Sequence, residues 1–80
     1  MNTVTAVRNR ILQLCNERNI TINALATISG LPSPSIKNII YGKSLNPKII
    51  TIKMICDGLN ITLREFFSTT EFNSLEQELK

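Results

Sequence analysis

Residues Thr21 to Gly42 read TINALATISGLPSPSIKNIIYG, and the placing of small, apolar and turn-forming residues in this stretch decides the fold. Thr21 is suited to cap a helix, because its hydroxyl can accept one of the orphan N–H groups of a first turn. Leu25, Ala26 and Ile28 would supply the buried side of that helix, and Gly30 ends it by taking a left-handed conformation at little cost. Ser33-Pro34 predicts the start of the next helix, with serine as the cap and proline, its φ preset and no donor wasted, at the first helical position. Ile36, Ile39 and Ile40 form an inner stripe, which leaves Ser35, Lys37, Asn38 and Tyr41 facing outward until Gly42 closes the helix. Ala26 permits close approach of the two helices, and Ile36 wedges the second onto the first, with Leu25 and Ile39 completing the contact. The stretch is two short helices joined by a tight turn.

Helical periodicity continues on both sides. Val4, Val7, Ile11, Leu14 and Cys15 recur at helical spacing and predict a first helix over about residues 4–18, with Asn19 as a left-handed stop. Asn46-Pro47 repeats the cap-then-proline signal for a fourth helix, whose Ile49, Ile52, Ile55, Cys56 and Leu59 share one face until Asn60. Gly58, near its end, is a residue that weakens helices. Thr62-Leu63-Arg64-Glu65 is a capping box for a fifth helix that buries Leu63, Phe66 and Phe67. Thr70 then caps an amphipathic segment with Phe72, Leu75 and Leu79 on one face and glutamates on the other. Strand-like alternation is nowhere sustained, so the expected fold is all-α: a five-helix domain over residues 1–67, with its helix pair at 21–42, and a short helical extension over 68–80.

The 80-residue chain has room for one small core, and so small a domain gains from packing against a second copy. It contains no histidine, which removes the commonest general base and metal ligand. Neither a carboxylate cluster nor a glycine-rich phosphate cradle takes its place, so the residues argue against an enzyme, a metal site or a cofactor. A chain this short also leaves no room for a small-molecule pocket of typical size. Cys15 and Cys56 sit far apart within apolar patterns, as reduced core residues do. The N-terminus lacks a basic region followed by an apolar stretch, and no apolar run approaches the ~18 residues of a membrane span. A cytoplasmic protein with no membrane contact is expected.

Charge is segregated along the chain. Residues 18–56 carry Arg18, Lys37, Lys43, Lys48 and Lys53 with no acid, a block of +5. Residues 57–80 hold Asp57, Glu65, Glu71, Glu76 and Glu78 against Arg64 and Lys80, a net −3. A basic middle with an acidic end suits a polyanion-binding surface whose remainder avoids the polyanion; a solvated lysine face is the competing reading.

Taken together, the helix pair, GLPSPSIKNIIYGK at 30–43, the Asn46-Pro47 pair and ITLREFF at 61–67 resemble the Cro/CI-type (Xre) family of bacterial and phage helix-turn-helix regulators. The resemblance covers roughly residues 6–67. It implies a lambda-repressor-like domain in which the second helix braces the DNA backbone and a recognition helix at 34–42 enters the major groove. Position by position, it implies that Ser33, Pro34, Lys37 and Asn38 reach base edges, and that Thr21, Ser35, Tyr41 and Lys43 meet the backbone. Asn46 and Lys48 border a loop that lies near phosphates in this family. Asn38 has the chemistry to bond adenine N6 and N7, Lys37 to donate to guanine O6 or N7, and Pro34 to touch a thymine methyl. The sequence departs from the family at Ile22, where members often carry a glutamine that ties the recognition helix to phosphate.

What the resemblance implies functionally is a repressor that binds double-stranded DNA as a homodimer on a two-fold operator, with Phe72, Leu75 and Leu79 as a candidate dimer seam. The alternative class is a protein-interaction module of the same fold, an antitoxin or anti-repressor type of partner binder. For Phe72, Leu75 and Leu79 a helix folded back on its own core competes with the seam, and Tyr41 is either a phosphate donor or a residue capping the core.

Overall fold

The computed structural model describes residues 1–79; Lys80, the last residue of the expected extension, lies outside the described residues. Among the described residues six helices follow one another: α1 (Thr3–Arg18), α2 (Ile22–Ser29), α3 (Ser33–Ile40), α4 (Ile49–Leu59), α5 (Leu63–Phe66) and α6 (Thr70–Asn73). No strand occurs among the described residues.

The first helix starts where Asn2 accepts a bond from the Thr5 N–H at 3.0 Å and stops at Asn19, whose φ of 55° is left-handed. Asparagine tolerates that conformation better than most residues because its short amide bonds locally. Its buried stripe is Ala6, Val7, Ile11, Leu14 and Cys15. Against it stand Leu25 and Ala26 of α2, Ile36 and Ile39 of α3, Ile52, Ile55, Cys56 and Leu59 of α4, and Phe66 of α5, all in one continuous core. Burial raises the pKa of both thiols, and the neighbouring Asp57 carboxylate adds to the effect at Cys56. Neither cysteine is in a disulfide.

Between α2 and α3 the turn closes as the sequence implies. Thr21 Oγ1 accepts from the Ala24 N–H at 3.0 Å, Gly30 has a φ of 68°, and the Leu31 N–H reaches back to the Ala26 carbonyl at 3.0 Å. Ala26 is buried between the helices, and Ile22 packs its side chain against the core.

Four local expectations are corrected. Pro32, not Ser33, is the N-cap of α3, and Ser33 is its first helical residue. Its hydroxyl is drawn away to Asn23 Oδ1 of α2. Lys48, not Asn46, precedes α4 and gives it no side-chain cap. On α2 the buried residue after Ala26 is Ser29, while Ile28 is half exposed. Gly58 accounts for this: a Cβ there would stand 2.8 Å from the Ile28 carbonyl oxygen and 2.7 Å from Ser29 Oγ. The missing side chain lets α4 lie directly on the last turn of α2. The contact buries Ser29 Oγ without a hydrogen-bond partner among the described residues, a cost that close packing of backbone on backbone offsets.

The fourth correction concerns the end of the chain. Thr69 is the N-cap of α6, and the helix is one turn long, so Phe72, Leu75 and Leu79 do not share a helical face. Phe72 instead completes an aromatic trio: Phe66–Phe67 and Phe67–Phe72 each meet edge to face with centroids 4.8 Å apart. Beyond α6 the chain returns to the start of α1, where Glu78 Oε2 accepts from the Thr3 N–H at 2.9 Å and Glu76 lies 3.8 Å from the Met1 ammonium. The first turn of α1 holds no acid of its own, and Glu78 supplies the negative charge that a helix N-terminus favours. The capping box forms as read, with Thr62 and Glu65 each accepting the other's backbone N–H, at 3.0 and 3.1 Å.

Candidate nucleic-acid interface

On α3, buried Ile36 and Ile39 fix which residues face out. At 100° per residue, Pro34, Lys37, Asn38 and Tyr41 stand at i, i+3, i+4 and i+7 and share the opposite face. Pro34, Asn38 and Tyr41 are exposed and Lys37 is half-buried. Tyr41 is the C-cap of the helix and is 71% exposed, so it does not cap the core.

Beside this face lies a shallow groove of about 290 Å³, lined by Ser35, Asn38 and Ile39 of α3, Ser44, Asn46, Pro47 and Lys48 of the following loop, and Thr51 of α4. Four of the expected residues, Ser35, Asn38, Asn46 and Lys48, therefore come together. The loop is held there because the Lys43 and Ser44 N–H groups both donate to the Asn38 carbonyl at 2.9 Å. Lys43 is exposed in that turn. Ser33 stands at the start of α3 with its hydroxyl proton committed to Asn23, and Thr21 stands at the start of α2, outside the groove. Its hydroxyl accepts the capping bond and can still donate outward.

Ser44 and Thr51 join the groove without having been singled out in the sequence. Thr51 is the lone hydroxyl among Ile49, Ile50 and Ile52, and a polar residue inside an apolar run is the signal that points to it. Charge is one-sided here. Lys37, Lys43 and Lys48 make no ion pair with any described carboxylate, whereas Lys53 is paired with Asp57 on the next turn of α4. The carboxylates of Glu76 and Glu78 are engaged at the N-terminus of α1.

A second, larger hollow of about 520 Å³ opens between the start of α1, residues 45–47 and Glu78, floored by Val4, Val7, Ile52 and Phe67. The expectation that so short a chain lacks a cavity of this size is thereby corrected: the returning tail builds one wall. Among the described residues no cluster of histidine, cysteine or carboxylate side chains is arranged to hold a metal, and no helix is long and apolar enough to cross a membrane.

A model of the Cro/C1-type HTH DNA-binding domain matches residues 10–71. Among solved structures, the crystal structure of the prophage Lp1 protein 11 superposes with a TM-score of 0.80 at 32% identity, covering 94% of this chain and all of that one. None of the curated proteins matches the sequence.

Proposed function

The chain belongs to the Cro/C1-type helix-turn-helix family of DNA-binding domains, and from that premise we propose that it is a transcriptional repressor binding a two-fold operator as a homodimer. The observation that carries this reading is the outward face of α3, with Pro34, Lys37, Asn38 and Tyr41 beside a groove that ends on Lys48, in a stretch without a single acid. In the proposed complex α3 enters the major groove. Asn38 accepts from and donates to an adenine edge, Lys37 donates to guanine, and Pro34 touches a thymine methyl. Thr21, Ser35, Tyr41, Lys43, Asn46 and Lys48 meet phosphates and fix the register. Ser33 reaches a base edge only through its lone pairs, its proton being held by Asn23.

Occlusion of a promoter by two copies requires a seam. Phe72 holds the tail on its own core, so the proposed seam falls on Leu75 and the fully outlying Leu79, on the acidic side that phosphates repel. Recognition helices about 34 Å apart would then meet successive major grooves.

Selection of bound duplexes from random DNA tests the whole reading. An enriched inverted repeat supports it, and recovery of no sequence above background sinks it. Sedimentation of the chain carrying Leu75→Ser and Leu79→Ser tests the seam, since a monomer–dimer equilibrium equal to that of the unaltered chain removes these residues from it.

One observation favours the second reading, a protein-binding module of the same fold. Leu45, Ile49 and Ile50 are 74%, 61% and 59% exposed within six residues, and clustered apolar side chains suit a protein partner. Salt separates the two: binding through lysine–phosphate contacts weakens steeply as salt rises, and binding through an apolar surface responds little.

A further inference from the structure

Arg8 lies on α1, far from the groove in sequence, and its guanidinium ends beneath the reading helix. Its Nε donates to the Ile39 carbonyl of α3 at 3.3 Å, across 31 residues of chain and in partly buried surroundings. A Cβ built on Gly42 would stand 3.6 Å from Nη2, so the guanidinium lies on the side-chain side of the turn after α3, next to Gly42. No described carboxylate forms an ion pair with Arg8. Its charge faces the carbonyl end of a helix, where the aligned peptide dipoles favour a cation.

Helix α3 takes this long-range bond in addition to its own local closure. It is eight residues long, begins at Pro32 with no side-chain cap and ends at Tyr41 with a φ of −91°. The left-handed residue that closes it is Gly42, with a φ of 79°, one place beyond Tyr41, as Asn19, Gly30 and Asn60 close α1, α2 and α4. The end of α3 is held by the Tyr41 N–H on the Lys37 carbonyl at 2.8 Å, the amides of Lys43 and Ser44 on the Asn38 carbonyl and a 3.3 Å bond from the Gly42 N–H to the Ile39 carbonyl, and, from another helix, by Arg8 on that same Ile39 carbonyl. A shift of this turn carries Asn38, Tyr41 and Lys43 with it, and hydrogen-bond readout of a base edge tolerates only about 0.5 Å of misplacement.

We infer that Arg8 is a positioning residue for base recognition: it anchors the end of α3 and the turn after it, and so sets discrimination between DNA sequences without touching DNA. The inference rests on α3 being the reading helix. Arg10 serves as a contrast, because its guanidinium is spent on the Phe66 and Glu65 carbonyls of α5 and on Gln13, all remote from the groove.

The test uses the full chain and its Arg8→Met and Arg8→Lys variants, with amide hydrogen exchange read by NMR and titration of a selected duplex against a scrambled one. In Arg8→Met the amides of Gly42, Lys43 and Ser44 should exchange faster while those of Ile11 and Ile55 hold. Preference for the selected duplex should fall roughly two- to thirtyfold, with binding to the scrambled duplex and its salt slope unchanged. Arg8→Lys, which keeps a cationic donor, should recover part of both effects. Unchanged exchange at the turn overturns the anchor. Equal weakening on both duplexes with the salt slope lowered by about one makes Arg8 a phosphate contact and overturns the positioning role. A wild-type chain that prefers no duplex defeats the reading of α3 and the specificity claim together, and the exchange result separates that failure from a failure of the anchor.

Discussion

Helices α1, α2 and α5 begin with a side-chain cap, from Asn2, Thr21 and Thr62, whereas α3 and α4, the two that border the groove, begin at Pro32 and Lys48 with none. The capped helices are closed locally and could be built by their own sequence. Of the uncapped pair, α3 is also tied from other helices, by Asn23 of α2 on Ser33 and by Arg8 of α1 on the Ile39 carbonyl, while both helices end on a left-handed residue, Gly42 and Asn60. Side-chain caps at helix starts thus lie on the helices that do not line the groove. Substitutions on the two sides should accordingly change different observables.

The largest separation is expected from Phe66→Ala. This ring is fully buried at the meeting of α1, α4 and α5, and its loss should cost about 3–5 kcal/mol in denaturant unfolding. A cost near zero would mean that α5 is no part of the scaffold. Next in size is Asn38→Ala, which should remove about 1–3 kcal/mol of discrimination at one base position per half-site while leaving the unfolding midpoint in place. Equal weakening on every duplex would show that the amide does not read a base. Thr62→Ala breaks the capping box and should cost about 1 kcal/mol of stability, whereas Lys48→Ala, at the head of an uncapped helix, should change stability by no more than about 0.5 kcal/mol. Similar losses from the two would erase the distinction drawn between the helices. The smallest effect belongs to Lys43→Ala, which should lower the slope of log affinity against log salt by about one unit with sequence preference intact.

The same division governs what the sequence revealed. Where a helix end is closed by its neighbours in the chain, the residues announced it: Asn19, Thr21, Gly30 and the Thr62–Glu65 box all stand as read. The start of α3 escaped because two prolines, Pro32 and Pro34, each fit the fixed φ of a helix start, and the choice between them turns on a hydroxyl bonded to Asn23 across α2. Ile28 reads as buried, and Ser29 goes unnoticed, because an eight-residue helix shows too little of its period. The absent side chain of Gly58, thirty residues away, decides which of them is covered. Nothing in the sequence announces the roles of Arg8 and Arg10, because long-range bonds to carbonyls leave no local signature. Of the candidate interface, the α3 face was legible through its isoleucine stripe, while Ser44 and Thr51 came to the groove only through the path of the loop.

Tyr41 has a consequence of a different kind. It is the protein's only tyrosine, the sequence has no tryptophan, and its ring stands in water at the end of α3. All intrinsic ultraviolet emission above the phenylalanine band therefore originates at one spot on the surface. Excited near 280 nm, the unlabelled protein carries its own optical probe there. Quenching or anisotropy of that emission would follow a ligand arriving at α3, whereas the three phenylalanines packed against the core stay silent at those wavelengths.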